Sequence, residues 1–443
     1  MKKIILFILL FLIILPMKSL AFPLDSSNTS IENALQFLKQ SQLDDGSFGS
    51  LSATTFAVMA LSASDQDPHL WMKNGSNPIE YLKNVIVPSL NSSLNASSHY
   101  SVTILALVAA NENPENMNGR NLTQELLSKQ NLDGSFDNSG VEGWWPWITD
   151  DLWSTLALVA SGYKGSQEVN KTVEYLKSQQ LSDGGYGGCF GDVCSSGSDE
   201  TSLAIMALIS AGESNESSVI KNASTALRTF QNEDGGFNSS HLWGSSNVDS
   251  DAWAIQAIVA MENDMNNWTK NDTTPVDHLL SLQNHTDGHF EFDDFGTPGI
   301  SPVTDTSYAI MALLGKPFPI KGDFVVCGNS VCEEGEACDS CPEDCGSCPT
   351  IAPTTVPIRR GGGSIKKTTS TTTSSTTTTT TSTTTSSSII TTTTASTTTI
   401  PQVSQVSPLT GLVTSVTSPL GVSVIIIGIV ILAIIGRILT LRQ

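Results

Sequence analysis

The sequence predicts an all-α protein: an α6/α6 toroid of six helical hairpins, about 12 helices, followed by a small Cys-rich module, a disordered stalk and one transmembrane helix. Three observations carry this prediction. A motif repeats through residues 28–316, each copy is followed by a segment apolar on nearly every side, and a Ser/Thr tract leads into an apolar C-terminal run.

The motif reads Leu-x3-Gln-x3-Gly-x-aromatic. It occurs at Leu38, Gln42, Gly46 and Phe48; at Leu126, Gln130, Gly134 and Phe136; at Leu176, Gln180, Gly184 and Tyr186; and at Leu227, Gln231, Gly235 and Phe237. Leu279, Gln283, Gly288 and Phe290 form a fifth copy with one extra residue. An Asp precedes each Gly, and the spacings between these Asp residues are 88, 50, 51 and 53. One copy is therefore degenerate, and Tyr81-Leu82 with residues 100–110 takes its place. The segment before each Gln is amphipathic, as in Ile31, Ala34, Leu35 and Leu38, and ends at an Asp-Gly turn, which predicts an outer helix with one wet face. The second segments, 56–63, 104–110, 153–160, 203–211, 253–261 and 308–314, are Ala-rich and lack a polar face, which predicts a buried inner ring. Strand-like alternation is not expected anywhere.

The two ends set the compartment. Lys2 and Lys3, an apolar run at 4–15, Pro16 and small residues at Ser19 and Ala21 predict a secretory signal over 1–21. A retained N-terminal anchor is the alternative, but the run is shorter than the ~20 residues a spanning helix needs. The apolar stretch 420–436, followed by Arg437 and Arg442, predicts a membrane anchor over 419–443 with a short inner tail. Residues 368–399 are Ser and Thr apart from Ile389, Ile390 and Ala395, so 351–418 is expected to be a stalk. The ectodomain is then extracellular, and twelve Asn-x-Ser/Thr acceptors before Cys327 fit a glycoprotein. A formal charge of −21 excludes a protein that grips nucleic-acid phosphates.

In that compartment Cys189 and Cys194 are expected to close a small loop. Cys327, Cys332, Cys338, Cys341, Cys345 and Cys348, within residues 321–350, are expected to form three disulfides; zinc would need free thiolates. Glu333, Glu334, Glu336, Asp339, Glu343 and Asp344 offer oxygen ligands for Ca²⁺.

The motif, complete with its leading aromatic at 37–48 and 175–186, and the pattern at 305–313 resemble the prenyltransferase and squalene cyclase repeat family, the α/α toroids, over residues 28–317. The resemblance implies the toroid fold and leaves the activity open, because each activity in that superfamily has its own marker. Terpene cyclases use Asp-x-Asp-Asp, whose middle Asp protonates an alkene; Asp249-Ser250-Asp251-Ala252 lacks the last Asp. Prenyltransferases hold zinc with Asp, Cys and His, and no expected inner helix has a Cys. Thioester domains need Gly-Cys-Gly-Glu-Gln; Cys189 sits in Gly188-Cys189-Phe190-Gly191-Asp192.

Acids recur where the inner helices begin: Asp150 and Asp151, Asp199 and Glu200, Asp249 and Asp251, and Asp305. In parallel helices they would converge on one mouth of the ring, although Asp is also a preferred N-cap and suits the positive end of a helix dipole. Trp144, Trp145, Trp147, His241 and Trp243 occupy loops entering the same mouth. Trp beside carboxylates is the make-up of a sugar cleft; a Trp-rich lid of core is the alternative, and Ca²⁺ is a further possible ligand of the acids. The sequence thus predicts a membrane-anchored surface module that binds a glycan, a small molecule or a surface protein and needs no cofactor unless Ca²⁺. A surface enzyme acting on polysaccharide through paired carboxylates is the alternative, and a terpene cyclase-like enzyme a more distant one.

Overall fold

The computed structural model describes residues 22–136, 148–190, 193–241, 243–297, 299–320 and 346. The expected signal, Cys-rich module, stalk and anchor lie outside these residues, as do Trp144, Trp145 and Trp147. Among the described residues no helix is long and apolar enough to cross a membrane.

Among the described residues twelve α-helices alternate between an outer and an inner ring. The outer ones are α1 (Thr29–Ser41), α3, α5 (Leu122–Leu127), α7 (Gln167–Ser178), α9 (Ser218–Arg228) and α11 (Pro275–Ser281). Here α3 starts as Pro78–Tyr81 and continues through a π-helical stretch, Leu82–Ile86, to Val87–Ser89. The inner ones are α2 (Leu51–Ala63), α4 (Ser97–Ala109), α6 (Thr149–Ala160), α8 (Ser198–Ala211), α10 (Val248–Ala260) and α12 (Pro302–Leu313). Outer helices bury one stripe, as α1 buries Ile31, Ala34 and Leu38, whereas α2 buries ten of its residues from Ala53 to Ala63. Each inner helix packs on its two neighbours, and α12 packs on α2 to close the ring.

The repeated Gln and Gly explain why the hairpins join edge to edge. Gln180 Nε2 donates to the carbonyls of Gly184, in its own turn, and Val219, at the start of the next outer helix, at 2.9 and 2.8 Å. Gln42 and Gln231 make the same double tie, to Trp71 and Trp268, and Gln130 reaches the Glu168 carbonyl and the Thr172 hydroxyl. Gln283 closes the circle by donating to the Ser30 carbonyl at 2.8 Å. Each motif Gly also lies against the next outer helix. At Gly46, with φ +86°, an added Cβ would stand 2.5 Å from the Asn77 carbonyl oxygen; at Gly288 it would stand 2.5 Å from that of Asn33. The degenerate second unit ties from the opposite side: Arg120, of the third unit, donates back to the Val87 and Leu90 carbonyls and is held by Glu125.

The inner helices begin one to two turns before the apolar runs, with the acids in their first turns as the sequence placed them. One expectation needs correction. Strands also form: β1 (Tyr186–Phe190), β2 (Val193–Gly197), β3 (Asn238–Ser240) and β4 (Trp243–Ser246) make one antiparallel sheet in that order. Their Gly- and Ser-rich sequences carry no alternation. Pairing is set by the hairpin insertions of the fourth and fifth units and by the Cys189–Cys194 disulfide, which joins directly opposed residues. Of the sequons, Asn74, Asn91, Asn95, Asn170, Asn222, Asn267 and Asn271 are exposed, while Asn238 is buried in β3.

Candidate binding cup at one end of the ring

The inner helices are parallel and level. Phe56 of α2, Trp153 of α6, Trp253 of α10 and Tyr308 of α12 meet ring to ring, with centroids 5.7 Å apart for Phe56–Trp153 and for Trp153–Trp253, 5.5 Å for Trp253–Tyr308 and 4.6 Å for Tyr308–Phe56. Helices α2 and α6 are separated by α4, and α6 and α10 by α8, so these rings meet on the ring axis. Phe318, in the segment after α12, packs on Trp153 at 5.2 Å and on Phe56 at 6.2 Å. That segment is tied down by Gln256, which donates to the Lys316 carbonyl at 2.7 Å. The aromatic cluster is a floor, and Asp150, Asp249 and Asp305 stand about one helical turn before its rings on α6, α10 and α12, with Asp199 and Glu200 on the intervening α8.

The seven predicted acids fall into two sets. In the first, each carboxylate has a backbone donor elsewhere in the scaffold. Asp150 accepts from the Ser98 N–H at 3.1 Å, capping the neighbouring α4, whose own Ala96 cannot. Asp151 accepts from the Phe136 N–H at 2.7 Å, and burial pushes its carboxyl up to about 7 against that bond. Asp251, fully buried, accepts from the Phe237 N–H at 2.6 Å and faces His278 Nδ1 at 2.5 Å. Thr54, Thr201 and Thr306 accept the equivalent N–H groups of Phe48, Tyr186 and Phe290, so Asp151 and Asp251 stand where the other units use a hydroxyl. His278 was not among the predicted site residues, since it lies on an outer helix and no local spacing links it to Asp251.

The second set is Asp199, Glu200, Asp249 and Asp305. None is a helix cap, contrary to the capping alternative: Asn247 caps α10, Ser301 caps α12, and α8 starts at Gly197 without a side-chain cap. Asp249 is 8% exposed, and its Oδ1 is buried without a hydrogen-bond partner. Burial, then the charges of Asp305 and Asp199, push its carboxyl well above the usual range. Burial lifts Asp199 to about 6 despite a 3.0 Å bond from the Ser198 hydroxyl. Burial, then Asp199, lifts Glu200 to about 8, and burial lifts Asp305 to about 6 against a 3.4 Å bond from the N–H of Ser301, the cap residue of α12. The Tyr308 phenol is pushed far up by burial and then by Asp249, Asp305 and Asp199, which places these acids around the floor. Gly197 and Gly299 let the loops close over the acids: an added Cβ would lie 2.2 Å from Glu200 Oε2 or from Asp305 Oδ2. Trp253 remains partly exposed, and its Nε1 is another buried polar atom without a partner among the described residues.

Among the described residues no three His, Cys, Asp or Glu side chains are grouped closely enough to hold a metal ion. The backbone of Trp243 lies in β4 beside this end, its side chain being outside the described residues, and His241 stacks on Phe230 with centroids 4.3 Å apart. Of the predicted cysteines, Cys189 and Cys194 are bonded; the other six lie outside the described residues.

Residues 4–225, half of the chain, match the prenyltransferase alpha-alpha toroid domain, and residues 148–311 match the squalene-hopene cyclase C-terminal domain. The chain belongs to the prenyltransferase α/α toroid family. Among solved structures, D-mannose isomerase is 14% identical with a TM-score of 0.50, the match covering 67% of this chain and 99% of that one. The type II terpene cyclase MstE from Scytonema is 12% identical (TM-score 0.46; 64% and 96% covered), and Candida albicans protein geranylgeranyltransferase-I 15% identical (TM-score 0.44; 65% and 90% covered). At these identities the likeness is one of fold. Among curated proteins, none matches the chain in sequence.

Proposed function

We propose that the toroid is the ligand-binding head of a membrane-anchored surface protein and that its cup takes carbohydrate. One observation carries the reading: Asp249 Oδ1 and Trp253 Nε1, an acceptor and a donor one turn apart on the same face of α10, are both buried and both unpartnered. Buried polar atoms are rarely left unsatisfied, and a hydroxyl-bearing ligand lying over the aromatic floor satisfies both while stacking its apolar face. Carboxyls held partly protonated supply donors as well as acceptors, which suits hydroxyl groups. A glycan array probed with the full-length chain tests this. Retention of defined glycans that is lost on Asp249→Asn and on Trp253→Phe is the expected result, and an array that retains nothing overturns it.

A catalytic reading has its own support. Burial pushes the carboxyls of both Glu200 and Asp199, neighbours at the start of α8, above their ordinary range, and adjacent carboxyls that retain protons suit acid and base work. Turnover of a retained glycan would turn the binding head into an enzyme, and unchanged glycans would leave binding alone.

A further inference from the structure

We propose that the ligand of this cup carries a protonated amine, received by Asp249 together with Asp199 and Asp305. The proposal rests on the carbohydrate reading above and names the ligand class as an amino sugar.

The first argument is charge. The six inner helices hold seven acids, Asp150, Asp151, Asp199, Glu200, Asp249, Asp251 and Asp305, and not one Lys or Arg. Carboxyl groups taken out of water ordinarily come with a cation or with hydrogen-bond donors. Asp150, Asp151, Asp251 and Asp305 accept from backbone N–H groups, Asp199 accepts from the Ser198 hydroxyl, and Asp251 has His278 as well. Among the described residues His99 of α4 stands near Asp150 and His289 near Asp305. Asp249 has an unpartnered oxygen and two acidic neighbours, so the missing counter-charge is greatest there.

Helix dipoles do not account for the pattern. All six inner helices point their positive ends at this mouth, yet α2 and α4 have no acid in the first turn, and the acids gather from α6 round to α12. An anionic ligand would meet like charge. A bare metal ion needs ligands closer together than the described residues bring them. An ammonium on an organic body needs no closed shell of protein ligands, and the Trp153, Trp253 and Tyr308 rings nearby attract it.

Proton release provides a readout. Asp249, Asp199, Glu200 and Asp305 titrate above their ordinary values in the free protein. An ammonium bound among them favours their ionised forms, so while the amine itself stays protonated binding expels protons and tightens as pH rises. Calorimetry of the full-length chain with fully deacetylated chitin oligosaccharides and their N-acetylated counterparts, at about pH 5 and about pH 6 in two buffers of different ionisation enthalpy, is the test. The deacetylated oligomer is expected to bind about tenfold tighter, with proton release, and Asp249→Asn is expected to abolish that preference. Equal or tighter binding of the N-acetylated oligomer without proton release overturns the ammonium assignment and leaves the carbohydrate reading standing. Binding of neither oligomer, nor of any arrayed glycan, overturns both.

Discussion

Two acids of α10, two residues apart, lie in different surroundings. Behind the helix Asp251 is gripped by the Phe237 N–H and His278, and three other units put a Thr at that position. In front, Asp249 stands by the aromatic floor with an oxygen that no described residue satisfies. A repeat protein supplies its own control: a side chain whose bond recurs from unit to unit holds the scaffold, and one without a counterpart has been added to it.

The comparison is most directly broken by cutting away the gripped acid. Asp251→Ala strips His278 Nδ1 and the Phe237 N–H of their buried partner, leaving His278 only Asp234 at 3.6 Å from its other ring nitrogen, and chemical denaturation is expected to show a loss of about 3–5 kcal/mol. Asp151→Ala, which strands only the Phe136 N–H, is expected to cost about 1–3 kcal/mol in the same measurement. Gly46→Val tests the outer clasp: positive φ and the Asn77 carbonyl together set an expected loss of about 1–3 kcal/mol. Titration sharpens the picture of the cup. Burial raises Glu200 from 4.5 to about 8, so the folded chain binds more protons than the unfolded one between those values. Its contribution to stability is complete below about pH 4.5 and is lost as pH rises through about 8; the denaturation midpoint should fall over that window, and less so in Glu200→Gln. The smallest effect belongs to Asp249→Asn, expected to leave stability within about 1 kcal/mol, since no bond of the scaffold ends on its free oxygen.

The hairpins were legible because periodicity and the Asp-Gly turns report directly on buried stripes and left-handed stops. Parallel inner helices bring Asp199, Asp249 and Asp305 near one another, whereas Asp251 turns to the scaffold. What escaped had no local signal. Arg120 replaces the missing Gln of the second unit by reaching back from the third, a substitution visible only in space. The sheet is made of Gly, Ser and Cys, which lack strand-like alternation. The division of the acids into two sets also looked uniform in sequence, although Thr or Asp two residues before Phe56, Trp153, Trp253 and Tyr308 was a readable sign that position 251 belongs to the scaffold.

Gln283 donates to Ser30 across 253 residues, and the Leu24 N–H donates to the Leu313 carbonyl at 2.9 Å, so the two edges of the ring are already fastened side by side. The order of the units along the chain is then immaterial to the closed form. A circular permutant that joins residue 320 to residue 22 through a short linker and reopens the chain in the exposed turn at 212–217 keeps every clasp. Such a molecule would carry the same cup while moving its free ends from one seam of the ring to another.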